Sequence, residues 1–265
     1  MYMMYMRQLS TSDVDGSYII DQWSFTDRNG THHENGYKPK DKKSLVRLLQ
    51  VLRKERGDRG DFNDIDVSEI RDMSHLFEKW RDFNGDITGW DTSNARSMEY
   101  MFYDTKSFNQ PIGSWDMSRV QRTVCMFKNA ESFNQPIGSW DMSKVWNMNS
   151  MFQNAKSFNQ PLDEWNVWNV KYMNNMFDGA TSFNQPIGEW NTGRVRNMSS
   201  MFRKATSFNQ PIGNWDIDGV EDMSYMFEGA GSFNQDLSDW KLTVIQKRFF
   251  KHKLNVHKQD TNTQL

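Results

Sequence analysis

Cysteine is nearly absent: Cys125 stands alone in 265 residues, so no disulfide can close within the chain and no thiolate metal cluster can form. An excess of one charge is also missing. The 32 Lys and Arg against 34 Asp and Glu leave a formal charge of -2, which gives no whole-chain attraction for nucleic acid or an anionic membrane. Residues 1–20 carry Arg7, Asp13 and Asp15 and lack the apolar core, about 7–15 residues long, of a secretory signal. No stretch approaches the roughly 20 apolar residues of a membrane span. Cytoplasmic residence is the default expectation.

What is present is a period. Mean hydropathy is only -0.84, yet there are 18 Phe, 11 Trp and 18 Met, so the apolar content sits in a few large side chains. Phe83, Phe108, Phe133, Phe158, Phe183, Phe208 and Phe233 are 25 residues apart, and so are Trp90 through Trp240, Phe77 through Phe227, Met101 through Met226 and Asn84 through Asn234. Self-similarity of this kind marks a stacked array whose single copies cannot bury their apolar face alone.

One unit, residues 133–157, reads FNQPIGSWDMSKVWNMNSMFQNAKS. Val145, Met148, Met151, Phe152 and Ala155 recur at steps of three and four, which predicts a short helical or 3-10 segment, with Ser143 as its N-cap and Asp141 at its amino end. A very short strand is expected near Phe-Asn-Gln or Ile-Gly, limited by Pro136, which cannot donate to a ladder. The fold class is thus an α/β repeat solenoid of short strands and short helical segments with helical caps. Residues 65–239 hold seven repeats. Residues 39–64 form the lead-in, with a helix over 41–56 that places Leu45, Leu48, Leu49 and Leu52 on one face and stops at Gly57. Residues 240–265 are a basic C-terminal cap, including Arg248, Lys251 and His252, and a disordered tail. Residues 1–38 form an extension in which the alternation of Tyr18 to Phe25 and the Asn29-Gly30 pair allow a hairpin.

The unit F-N-Q-[PD]-[IL]-x-x-W-[DN]-x-S-x-V-x-x-M-x-x-M-F-x-x-A resembles the repeat of the BspA-like leucine-rich-repeat surface proteins of bacteria. The lead-in KPKDKKSLVRLLQ and FNDIDVSEIRDMSHLF is similar to that family's opening, and the likeness covers about residues 38–240. It implies an atypical leucine-rich-repeat solenoid with Phe, Trp and Met in place of most leucines, adhesion or protein binding as its role, and a cell-surface or secreted location as the alternative to the cytoplasm. It supplies no catalytic residues.

The repeated polar residues are expected to be structural. The Asn ladder should bond backbone in the turns, and Asp91, Asp116, Asp141 and Asp216 should cap rather than bind calcium, since Asn166 and Asn191 occupy the same position. His32, His33, His252 and His257 match no metal or nucleophile motif, and Cys125, at a freely varying position, is expected to be exposed. Polysaccharide hydrolysis needs a carboxylate pair about 5–10 Å apart at unique positions, and the regular carboxylates here repeat. The chain is therefore expected to be neither an enzyme nor a cofactor protein, and its basic end, with Lys247, Lys253 and Lys258, to be a cap rather than a nucleic-acid site.

Positions that break the repeat carry the functional reading. Trp146 and Trp168 stand where other copies have Arg, Gln, Lys or Glu, and Ser, Gly or Asp, respectively. They are expected side by side on adjacent coils. Arg96, Lys171 and Arg196 share one column, and Arg119, Lys144 and Arg194 a neighbouring one. This aromatic and basic face predicts a scaffold that binds an acidic or amphipathic protein segment, with a glycan held by stacking as the alternative ligand, and the chain is expected to be a monomer.

Overall fold

The computed structural model describes residues 21–244 together with 246 and 247. The expected basic positions Arg248, Lys251, His252, Lys253 and Lys258, the tail beyond them and the leader residues 1–20 lie outside the described residues. The chain opens with an antiparallel hairpin, β1 (Asp21–Thr26) and β2 (His32–Lys38). Gly30 supplies φ 84 in its turn, a value that costs glycine little. Helix α1 (Lys42–Arg56) follows. A capping box between Asp41 and Ser44 starts it and Gly57 ends it. Its buried stripe is the one that the leucine spacing anticipates: Leu45, Leu48, Leu49 and Leu52 are at most 1% exposed.

From there the chain is a succession of units, each hydrogen-bonded to the next. Parallel bridges run Asp72, Ser97, Arg122, Asn147, Tyr172, Asn197, Asp222. Around them the Met148, Ser150, Phe152 and Asn154 N–H groups donate to the carbonyls of Tyr172, Asn174, Met176 and Asp178 in the following unit at 2.7–2.9 Å. Equivalent side chains therefore superpose. Phe102 and Phe127 lie 5.4 Å apart and 6° from parallel, and within one unit Phe102 stacks on Phe108 at 3.9 Å. Each ladder indole donates to a carbonyl 27 or 28 residues earlier, as Trp165 Nε1 does to Ile137 O at 3.0 Å and Trp240 Nε1 to Gly213 O at 3.1 Å. That bond satisfies the one polar group of a nearly fully buried ring.

The helical segment expected within each unit is not there. Met151 donates to Met148 O and Ala155 to Phe152 O at 3.1 and 3.0 Å, while Ser150 and Asn154 have φ of 56 and 58. A positive φ at the third residue is the mark of a type II turn and breaks a right-handed helix. Met148, Met151, Phe152 and Ala155 are thus the corners of two consecutive turns, and corners three residues apart imitate a helical stripe. Both positions keep positive φ in every unit, from His75 and Lys79 to Tyr225 and Gly229. Ser143 is accordingly not a helix cap. Its N–H donates to Asp141 Oδ1 at 2.9 Å in an Asx turn, repeated at Asp91, Asp116, Asn166, Asn191 and Asp216.

The strand expected at Phe-Asn-Gln or Ile-Gly is likewise missing from the repeats. A bridge survives there only at the start of the stack, Asp61 to Asp86. In later units that position is Pro111, Pro136, Pro161, Pro186 and Pro211, which have no N–H to give. The Asn ladder does the work instead, and it does so between units: Asn134, Asn159 and Asn184 N–H each donate to the side-chain oxygen of the Asn one unit earlier at 2.9 Å. Gln160 and Gln210 Nε2 add bonds to the same asparagines.

Hydrogen bonds tie both described ends to the stack. The hairpin is tied on by Tyr37, whose N–H donates to Asp64 O and whose carbonyl accepts from Asp66 N–H, both at 2.8 Å. Its Arg28 reaches Gly89 O and Ser114 O. At the other end, Thr243 and Gln246 exchange capping bonds while Gln246 Nε2 donates to Val220 O at 2.8 Å. No helix among the described residues is long and apolar enough to cross a membrane.

Candidate partner-binding face

Trp146 is held outward by its neighbours. Val145 and Met148 are fully buried turn corners, and the Trp146 backbone is fixed on both sides: its N–H donates to Gln121 O at 3.0 Å and its carbonyl accepts from Lys171 N–H at 2.9 Å. The side chain is left 36% exposed. It meets Tyr172, itself 37% exposed, edge to face at 6.1 Å and 70°. Trp168 takes the position after an Asx turn, its N–H on Asn166 Oδ1, and is 45% exposed. Arg194 lies over its ring at 4.6 Å and is steadied by a 3.0 Å bond from Nη1 to Asn169 Oδ1, an arrangement worth about 0.5–1 kcal/mol at an exposed site.

Among the described residues the rings of Trp146 and Trp168 do not touch each other. Each has a different companion, Tyr172 for Trp146 and Arg194 for Trp168. Sequence reasoning missed Tyr172. It lies 26 residues after Trp146, one unit and one residue on, and that spacing becomes meaningful once the bridge column is known.

The expected cations are all exposed: Arg96, Arg119, Lys144, Lys171, Arg194 and Arg196. None has a carboxylate within ion-pairing distance among the described residues. Arg119 donates to Asn94 Oδ1 and Arg196 to Gly219 O, so these two are oriented by neutral acceptors. At the edge of the face, burial works to raise the Asp116 pKa, but hydrogen bonds from Ser118 and the nearby Arg28 and Arg119 outweigh it and hold the carboxyl below its ordinary value.

Cys125 is buried, not exposed as its varying column suggested, at 6%. The thiol pKa is pushed up by burial despite a hydrogen bond with Tyr100. That contact in turn raises the Tyr100 phenol to about 12. The Asp column spends an oxygen of each residue on its own Asx turn, and among the described residues no three His, Cys, Asp or Glu side chains gather to hold a metal.

Two overlapping stretches, residues 47–165 and 148–262, match one family model, described as Mycoplasma protein of unknown function, DUF285. Their starts are about four repeats apart, so one family unit spans several of the 25-residue turns. No curated protein and no solved structure matches the chain. Since the two matches together take in most of the sequence, the chain belongs to the DUF285 family.

Proposed function

We propose that the protein is a non-enzymatic binding scaffold, a capped solenoid of the leucine-rich-repeat kind, that presents the face around Trp146 and Trp168 to a protein partner. The observation that carries this reading is the clustering of three exposed large aromatic side chains, Trp146, Trp168 and Tyr172, among cations that lack ion-pair partners, in an array whose Phe and Trp ladders are buried and whose other strongly exposed aromatic, Tyr225, stands alone. Exposed Trp with adjacent Arg is the composition of interface hot spots. The likeness of the repeat to BspA-like surface proteins favours adhesion as the setting. A sugar-binding role would use the same rings, but the Trp146 and Tyr172 rings stand at 70° and Arg194 covers Trp168. A corner of this kind suits an inserted side chain better than a flat pyranose.

The test is photo-crosslinking in the native cell. A photoreactive phenylalanine analogue at Trp168 should give a discrete crosslinked protein that disappears in the Trp146→Ala background, and the same analogue at Lys156 should give none. Equal labelling from both positions, or a signal indifferent to Trp146→Ala, contradicts the proposal. Binding on a glycan array that is lost in the same variant would replace the protein by a sugar.

A further inference from the structure

The charges around Trp146 are not evenly spread along the stack. One column reads Arg71, Arg96, Gln121, Trp146, Lys171, Arg196 and then Glu221. In the next unit after Arg196, Asp218 and Glu221 are both exposed, and neither has a cation within ion-pairing distance among the described residues. Thus the cationic strip stops at one boundary, and carboxylates replace it within a single unit, roughly 5 Å further on at the usual strand spacing. From Arg119 to Arg196 the strip crosses three unit spacings, roughly 14 Å, which an extended chain covers in about four residues. In its middle, the perpendicular rings of Trp146 and Tyr172 form a corner open to solvent.

We propose that the occupant is an extended acidic peptide segment with an apolar side chain seated in the Trp146–Tyr172 corner, its acidic run ending where it would meet Asp218 and Glu221. This rests on the binding-face reading above and adds the partner's chemistry and the boundary of its acidic run. Charge complementarity carries both parts: Lys144, Lys171, Arg194 and Arg196, without carboxylate partners among the described residues, attract carboxylates, and an acidic run continued past Arg196 would face like charge, which selects against it.

The experiment is fluorescence anisotropy on the full chain at low salt, where exposed charges act over about 10 Å or more. The probes are a labelled ten-residue peptide of alternating Glu and Phe, its counterpart with Lys for Glu, versions of the acidic peptide ending in two lysines at either terminus, and a sulfated oligosaccharide. The acidic peptide should bind at least tenfold more tightly than the lysine peptide. At least one lysine-ended version should bind several-fold more tightly than the plain acidic peptide, and K171E/R196E should reverse the acidic preference. D218K/E221K should remove the gain from the added lysines. Equal binding of acidic and basic peptides, insensitivity to K171E/R196E, or binding of the oligosaccharide alone overturns the proposal, and no gain from lysines at either end overturns its boundary. If the Trp168 crosslink persists while the acidic peptide fails to bind, only the acidic chemistry falls; if both fail, the face itself is wrong. These positions are exposed, so thermal midpoints of the variants should match the wild type.

Discussion

Two strips on the same stack use charge differently. Seven to ten residues further along each unit than Trp146, charges are paired between units: Arg203 Nη2 donates to Asp178 at 2.8 Å, Gln153 Nε2 to the same carboxylate at 2.7 Å, and Glu131 accepts from Lys106 and Lys156 at 2.8 and 2.9 Å. Hydrogen bonds from those two lysines hold the Glu131 carboxyl below its ordinary range. Around Trp146 and Trp168 the cations face neutral acceptors or solvent. One strip spends its charge on holding neighbouring units together, and the other leaves it available. A period of 25 fixes where side chains stand, but column by column the identity of the residue decides whether it serves the stack or a partner.

The sharpest way to break this comparison is at Asp178, whose side chain is 3% exposed. Asp178→Ala strands Gln153 and Arg203. The guanidinium is 36% exposed and can recover water, so the loss should be about 2 kcal/mol in denaturant unfolding, with ligand binding unchanged. Thr123 tests the core from the opposite direction. It stands in the Met98, Met148, Met173 column, fully buried with its hydroxyl unpartnered among the described residues. Thr123→Met should therefore gain about 1–2 kcal/mol by filling the column and removing a buried unpaired oxygen.

Much of this was legible in the sequence, for reasons that differ by element. The α1 leucines and the stop at Gly57 are local signals of a real helix. The Phe, Trp and Met ladders identify the core because identical residues at identical spacing superpose. The turns misled because corners at Met148, Met151, Phe152 and Ala155 have helical spacing, and only φ separates the two. His75, Lys79, Tyr100 and Cys125 give no warning of a left-handed backbone, since their side chains do not favour it. Cys125 was misplaced because its column mixes exposed and buried side chains, Tyr225 at 63% and Cys125 at 6%. Trp146 and Trp168 stood out as exceptions, whereas their companions Tyr172 and Arg194 are set by the stacking of one unit on the next.

Smaller effects sharpen the account. Lys204 has φ 56 and is exposed, while Gly179 and Gly229 occupy its position in neighbouring units with φ 70 and 71. Lys204→Gly should stabilise by up to about 1 kcal/mol, the relief of left-handed strain being partly offset by the freer unfolded chain. Asp116 adds a pH dependence. Because its folded pKa lies below the ordinary 3.8, its contribution is present above that value and is lost as pH falls through the lowered one. Asp116→Asn keeps the acceptor for Ser118 N–H, as Asn166 does for Trp168, and should remove a fraction of a kcal/mol of acid sensitivity in melts between neutral pH and pH about 3.

The central claim is that holding the stack and binding a partner are assigned to different strips, and one paired measurement tests it: thermal midpoint and peptide affinity recorded together for Trp146→Ala/Trp168→Ala and for Asp178→Ala. The account predicts that the tryptophan pair loses at least about thirtyfold in affinity, the scale of a hot spot, with little change in midpoint, while Asp178→Ala lowers the midpoint and binds as before. A tryptophan pair that melts early yet binds normally, or an Asp178→Ala protein that stays stable but no longer binds, would contradict it.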